Sequence, residues 1–318
     1  GYVGGQQLAK VLGGKGKVAV LSIPGSQMFD DRAAGFVDAF KKYPGIQVVQ
    51  TVDTKADTVT AINAAKSLLQ RFPDLAAFVC TDSTGGIGSA TAVKEAGKAG
   101  QVKIVSMDRN SDVLQAIQEG TVTGSVAQDD AAMAFWAMQV LYNYKHHQAP
   151  LTADNAKAGV ITGPSQVLMT VNWVDKNNLQ YFLDANKLYT QPAAAAAAQP
   201  APVAASESYI YVSSMGNLEF FNAHKYGWAW AGKALGVNSK YVGPAEVDIN
   251  GEVAAFDQAI AEKPAGIAVF AWDPVLTPEI NKAWDAGIPV VTILGDLPTS
   301  KRIAYVGSPQ HDLGFVGG

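Results

Sequence analysis

The feature that most constrains this chain is a repeated alternation. Short, continuous apolar runs take turns with longer stretches of helical period. Lys17-Val-Ala-Val-Leu-Ser22, Ala76-Ala-Phe-Val-Cys80, Val102-Lys-Ile-Val-Ser106, Gly266-Ile-Ala-Val-Phe270 and Pro289-Val-Val-Thr-Ile293 are such runs. A strand without polar alternation is covered on both faces, as in a parallel sheet flanked by helices. Between the runs, Ala33, Phe36, Val37 and Phe40 fall at i, i+3, i+4 and i+7, one apolar stripe. Helices are also predicted over 1–13, through Ala61, Ala65, Leu68 and Leu69, and over 87–99, 113–118 and 129–145. Strands are predicted at 46–50 and 122–127 as well. Strict alternation of this kind gives a parallel sheet with helices on both sides.

The alternation stops and restarts. Residues 189–206 carry no charge, no hydrophobic period and the prolines Pro192, Pro200 and Pro202. Such a tract cannot offset its own ordering entropy and reads as a linker, any helix in its alanine run being confined to a short piece. Beyond it, strands are predicted at 209–212, 240–242, 266–270, 289–293 and 303–306. Helices are predicted over 219–235, 252–262, 278–285 and at the chain's end. The stretch 150–180 is looser, with one strand-like run, Gln166-Val-Leu-Met-Thr-Val171. Two α/β lobes with similar unit order are therefore expected.

Composition narrows the partners. The 318 residues leave room for two domains, and 48% hydrophobic with 16% charged residues suits sizeable cores. A net charge of −4 without a basic block argues against nucleic acid or an anionic membrane. No apolar run approaches the roughly 20 residues that span a bilayer. No signal peptide is visible, which a mature secreted chain would also lack. The single cysteine, Cys80, allows no intrachain disulfide and leaves the compartment open.

The ordered motifs carry a resemblance. Arg32 in Ile23-Pro-Gly-Ser-Gln-Met-Phe-Asp-Asp-Arg-Ala-Ala-Gly-Phe36, Thr81-Asp82, Ser106-Met-Asp108, Ala127-Gln128, Asn217-Leu-Glu-Phe-Phe221, Ala286-Gly-Ile-Pro-Val-Val-Thr292 and Ser300-Lys-Arg-Ile-Ala-Tyr-Val-Gly307 are similar, in order, to segments of the ribose-type periplasmic sugar-binding proteins. The resemblance covers nearly all of the chain outside the linker. It implies two Rossmann-like lobes with parallel sheets joined by a hinge, the type I periplasmic binding fold. The order is rotated, because in that family the Tyr209 strand comes first. Gly314-Phe-Val-Gly-Gly318 also repeats Gly1-Tyr-Val-Gly-Gly5 with one aromatic exchanged. The chain thus reads as circularly permuted, the alternative being a fragment cut across two tandem copies. One lobe is expected from 1–128 with 165–184 and the other from 129–164 with 207–306. Residues 185–206 would join the usual ends, and 307–318 would form a crossing that overlaps 1–5. Hinge crossings are expected near Ala127–Asp129, Gly163–Gln166 and Gly307–Gln310.

The resemblance implies a solute receptor, not an enzyme. It would close two lobes on a monosaccharide or polyol, pentose-like by preference. A monomer in the periplasm or another extracytoplasmic space, it would serve an ABC-type transporter permease with no cofactor, metal or nucleic acid. The side chains suit a polyol. Arg32 offers a five-donor fork, Asp108 and Asp273 accept from paired hydroxyls, and Gln128 donates and accepts. Phe220, Phe221 and Trp272 offer faces for C–H surfaces. Thr81, Asp82, Asn217 and Asp296 complete the candidate set. Each has a plainer reading. Arg32 could pair with Asp30 or Asp31, Asp82 and Asp108 could cap helices, Gln128 could be a hinge residue, and one of Phe220 and Phe221 could be core. Trp272 could simply pack. In Thr292-Ile-Leu-Gly-Asp296 the family usually carries an acid where Leu294 stands, so either Asp296 takes that role or the ligand has fewer hydroxyls or a different ring form.

Rival classes have weaker signals. Gly86-Ile-Gly88-Ser-Ala-Thr91, with Asp108 at the end of the next strand, imitates a dinucleotide fingerprint in which Thr91 replaces the third glycine. Adjacent His146 and His147 do not converge as metal ligands would. A sugar-sensing repressor core would need a DNA-binding helix-turn-helix, which the sequence does not show.

Overall fold

The computed structural model describes residues 1–155, 157–190 and 207–309. The chain divides into two compact units. The first comprises Gly1–Gln128, Thr170–Lys187 and the residues from Ser308; the second comprises Asp129–Met169 and Leu188–Gly307.

The first unit is built on β1 (Lys15–Ser22), β2 (Gly45–Asp53), β3 (Leu75–Cys80), β4 (Lys103–Met107), β5 (Gly124–Gln128) and β7 (Val171–Val174). They lie in the order β2-β1-β3-β4-β5-β7, with β7 antiparallel to β5 and the rest parallel. The helices are α1 (Tyr2–Val11), α2 (Gln27–Phe40), α3 (Thr58–Arg71), α4 (Ser83–Glu95), α5 (Ser111–Glu119) and α7 (Leu179–Thr190). Both faces of the sheet are covered. Leu21, Phe78 and Ile104 pack with Leu68, Val93 and Leu114 on one side, and Val18, Val20 and Val105 with Leu8, Phe36 and Phe40 on the other. Local chemistry sets the helix ends. Asp57 accepts from Thr60 N at 2.7 Å and caps α3, and Gly120 closes α5 at φ 84°.

The second unit repeats the plan. Strands β8 (Ser208–Val212), β9 (Asn238–Val242), β10 (Gly266–Phe270), β11 (Val290–Ile293), β12 (Ala304–Gly307) and β6 (Gln166–Leu168) lie in the order β6-β12-β11-β10-β8-β9, all parallel. Its helices are α6 (Asp130–His146), α8 (Phe220–Leu235), α9 (Ile249–Ala261) and α10 (Thr277–Asp285). Ile210, Val212, Ile267 and Val269 pack against Phe256, Ala259 and Ile280.

Three expectations change. The strand over 166–171 is two strands in two sheets: Tyr305–Gly307 pairs with 166–168, whereas Val171–Val174 pairs with β5. The lobe segment expected over 165–184 therefore starts later, at Thr170, and runs to Lys187. The linker expected from 185 begins as the last turns of α7, whose Leu179, Phe182 and Leu183 join the first unit's core. The rest of the linker, 191–206, and the helix expected at the chain's end lie outside the described residues. The chain passes between units at Gln128/Asp129, Met169/Thr170, Lys187/Leu188 and Gly307/Ser308.

Candidate ligand-binding site

In a parallel sheet every strand ends at the same edge, and loops beyond that edge hold ligands where the strand order reverses. In the first unit the reversal is at β1. Ser22, Thr81, Asp108 and Gln128 stand at or just beyond the ends of β1, β3, β4 and β5. Arg32 comes from α2 behind the Pro24-Gly25 turn.

Arg32 is only 3% exposed, and a buried guanidinium must be met by acceptors. Its Nη1 donates to Thr81 O at 2.8 Å. Two carboxyls feel its charge, Asp82 and Asp108. Asp30 and Asp31 accept from Gly25 N at 3.2 Å and from Gln27 Nε2 at 2.6 Å. Burial pushes the Asp108 carboxyl up to about 6; Arg32 and contacts from Ser83 pull it down, and the Asp82 charge adds to the rise. Burial likewise raises Asp82, against hydrogen bonds from Thr84 and Gly85.

Asp108 is not the N-cap residue of α5, a position that Asn110 occupies. It sits at φ 67°, a left-handed conformation costly for a residue with a Cβ. Neighbours hold it there: Asp108 N donates to Val126 O at 3.0 Å and Ser125 Oγ donates to Asp108 O at 2.6 Å. Asp82 does cap α4, accepting from Gly85 N at 3.1 Å. Thr81 is fully buried, its Oγ1 donating to Ser22 Oγ at 3.3 Å. Gln128 is 4% exposed, and neither its Nε2 nor its Oε1 has a hydrogen-bond partner among the described residues. A buried amide left this way calls for a partner that the described residues do not supply. The structure thus brings Arg32, Thr81, Asp82 and Asp108 into one polar cluster, with Gln128 at the end of the adjoining strand.

The candidates of the second unit divide. Phe221 is core, 2% exposed and packed edge-on to Phe270 at 5.3 Å, while half-buried Phe220 stands edge-on to Phe221 at 5.1 Å. Trp272 lies over Phe270 and donates its Nε1 to Glu252 Oε2 at 2.7 Å. Asp273 caps the 3-10 turn Pro274–Leu276 through Val275 N at 2.9 Å. Asn217 is exposed and donates to Glu246 Oε1 at 3.2 Å. Asp296 takes a two-pronged bond from Arg302, with Nη2–Oδ2 at 2.6 Å, and a further bond from Thr292 Oγ1 at 2.9 Å. Its carboxylate is thereby engaged inside its own loop. Leu294, at the departure from the family pattern, is buried at φ 68°.

Two groups escaped the sequence reading. Glu252, in the first turn of α9, is fully buried. Burial pushes its carboxyl up to about 8, against hydrogen bonds from Trp272 and Ser214 and with the Asp273 charge adding. Its signal was present, because Glu252, Phe256 and Ala259 share the buried stripe. His224 is also fully buried, its Nδ1 3.1 Å from Tyr211 Oη, and burial lowers it to about 3.

The rival motifs find structural uses. A Cβ on Gly86 would collide with the Ser106 side chain and one on Gly88 with Ala61, so these glycines let α4 lie close to β4 and α3. His146 Nε2 meets Glu207 Oε2 at 2.7 Å. Among the described residues no cluster of metal-ligating side chains occurs, and no helix is long and apolar enough to cross a membrane.

The fold defines a class of two-unit α/β proteins, each unit built on a six-stranded sheet of one strand order. The family described as periplasmic binding protein domain matches residues 1–148 and 209–318, and the chain belongs to it. It is similar to the D-allose-binding periplasmic protein of Escherichia coli strain K12, at 29% identity over 142 residues, 44% of this chain and 46% of that protein. It is similar also to the xylitol-binding protein of Mycolicibacterium smegmatis, at 34% over 128 residues, 39% of this chain and 36% of that one. Among solved structures, an arabinose-binding protein from Geobacillus stearothermophilus matches with 32% identity and a TM-score of 0.51, covering 57% of this chain and 62% of its own. The chain spans about half or less of the curated relatives it matches.

Proposed function

We propose that the chain is a non-catalytic receptor for a monosaccharide or polyol of pentose-like size, acting outside the cytoplasm as a monomer and handing its ligand to an ABC-type permease. The observation that carries this is the buried Arg32–Asp108–Asp82 cluster with the unpartnered Gln128 amide beside it. Paired donors and acceptors kept from water suit neighbouring hydroxyls, and charge-assisted bonds strengthen in such surroundings. Relatives named for allose, ribose, xylitol and apiose bind ligands of this kind.

In this reading Arg32, Asp108, Gln128, Thr81 and Asp82 bond hydroxyls from the first unit. From the second unit Phe220 and Trp272 supply apolar faces. Phe221 supports Phe220 from the core, and Asn217 and Asp273 lie on the ligand-side loops. Asp296 shapes its loop through Arg302, which leaves Leu294 as the mark of a ligand with fewer hydroxyls on that side. Closure of the two units on the ligand and the rotated chain order belong to the same proposal.

The test is a titration of pentoses, hexoses and polyols by calorimetry, with NAD as a control. One sugar group should bind, and Arg32→Ala should weaken it at least tenfold while far-UV circular dichroism stays unchanged. Binding of NAD alone, or an unaltered affinity in Arg32→Ala, would overturn the assignment.

A further inference from the structure

The strand order of the second unit reverses at β8, which lies between β9 and β10. The loops after β8 and β10 and the first turn of α9 therefore meet at one edge of the sheet. Trp272 stands there, half-buried, two residues beyond the end of β10. Its main chain is held. Trp272 N donates to Phe270 O at 3.2 Å, and the loop after β11 lies so near that a Cβ on Gly295 would collide with the Ala271 carbonyl. Phe270, itself packed on Phe221, lies against the indole with the two ring planes 21° apart.

What remains is the rotation of the indole about its side-chain bonds, and one contact restrains it. Trp272 Nε1 donates to Glu252 Oε2 at 2.7 Å. Glu252 shares the buried stripe of α9 with Phe256 and Ala259 and is itself fully buried. An acid in that place carries a desolvation cost that a leucine would not, and the Asp273 charge beside it adds to the cost. A half-buried tryptophan that served only to pack can turn its N–H to water and needs no buried acceptor. The arrangement spends stability to hold one ring, which is how a recognition site differs from a core.

We infer that Glu252 is a positioning residue for ligand recognition: without touching the ligand, it fixes the Trp272 indole so that the face turned away from Phe270 is presented, already ordered, to the C–H side of a sugar or polyol. This rests on the proposed function and adds to it a residue from α9, an element that carries none of the other candidates. A ring ordered before binding loses less rotamer freedom on association, and the difference appears as affinity.

The test is a double-mutant cycle read in affinity. D-ribose, L-arabinose, D-allose and xylitol are titrated by calorimetry into the wild type, Glu252→Leu, Glu252→Gln, Trp272→Phe and the variant carrying both Glu252→Leu and Trp272→Phe. Glu252→Leu leaves the indole N–H without its acceptor and should weaken the sugar that binds by about five- to tenfold. Glu252→Gln keeps an acceptor oxygen and should recover affinity to within about twofold of the wild type. Phenylalanine has no ring N–H, so in the Trp272→Phe background the same Glu252→Leu change should weaken binding by less than about twofold. Without sugar, the Trp272 Nε1–H resonance should exchange with water slowly in the wild type and Glu252→Gln and rapidly in Glu252→Leu, a signature that stability alone does not move. An equal loss in both backgrounds, a loss in Glu252→Gln as large as in Glu252→Leu, an unchanged indole resonance, or a Glu252→Leu protein that fails to fold would overturn this role and leave the receptor reading standing. Failure of all four sugars to bind the wild type would overturn the receptor reading, and this role with it.

Discussion

Asp108 combines three things that rarely meet in one residue: burial, a left-handed backbone and a neighbouring buried arginine. Its folded-state value of about 6 lies above the ordinary carboxylate value. The folded state thus holds that proton more tightly than the unfolded chain does. The group's contribution to stability is full below about pH 4 and is lost as pH rises through about 6. A rise of about two pH units corresponds to about 3 kcal/mol. Asp108→Asn should therefore be more stable than the wild type without ligand at pH 7.5, by up to about 3 kcal/mol, and equal to it at pH 4. Thermal unfolding at the two pH values checks this, and a pH-independent difference would count against it. Glu252, pushed up to about 8, should behave likewise at higher pH. Glu252→Gln should be near neutral at about pH 4, where the carboxyl carries its proton folded or unfolded, and increasingly stabilising as pH rises toward about 8. Glu252→Ala should cost about 1–3 kcal/mol at about pH 4, because Trp272 Nε1 loses its acceptor, and less as pH rises. Arg32 and Asp108 were named because their motifs resemble a known family in order; Asp108 also carries a local sign, a charged residue just past a strand end, whereas Arg32 lies inside α2. Glu252 was not picked out, although it sits on a buried stripe, because an acid in a first helical turn is ordinarily a solvated dipole partner.

Elements were legible wherever their period and their ends were local. The Lys15–Ser22 and Gly266–Phe270 strands and the Gln27–Phe40 helix follow from apolar runs and stripes. What was not legible is membership: no local signal tells 166–168 and 171–174 to join different sheets, since their partners, β12 and β5, are remote in sequence. Helix α7 was obscured by the proline-rich tract next to it, although Leu179, Phe182 and Leu183 have helical spacing. Helix α8 shows how two glycines of one element differ. A Cβ on Gly227 would collide with the Ala131 carbonyl of α6, a backbone atom that cannot step aside. Gly236 closes the helix at φ 69° with open space around it. Gly236→Ala should cost about 1 kcal/mol through the left-handed conformation alone. Gly227→Ala should cost about 3 kcal/mol or more, because α6 and α8 must separate. Denaturant unfolding of the two variants would rank them, and the reverse order would mean the helices are free to part.

Two sheets of one strand order, each with loops beyond the same edge, raise the question of what the second edge adds. The first unit holds the cluster that can bond hydroxyls, while the second offers mainly aromatic surface and carboxyls already engaged. If both act on one sugar, binding must lower the opening of both units, because a ligand stabilises whatever state alone can hold it. If the polar cluster suffices, only the first unit gains. Hydrogen exchange with a bound sugar separates these cases. At about 100 times the dissociation constant the gain is about 2.7 kcal/mol, roughly a hundredfold slower exchange where opening releases the ligand. Under the proposed function this slowing should reach peptides after β8 and β10, around Phe220 and Trp272, as well as those around Arg32 and Asp108. Slowing confined to the first unit would leave a one-sided sugar site and remove the second unit from recognition. The intact Arg302–Asp296 pair makes its loop an internal control, since a carboxylate already satisfied within its loop has little to gain from sugar, and exchange across 292–302 should respond least of the second unit's edge loops.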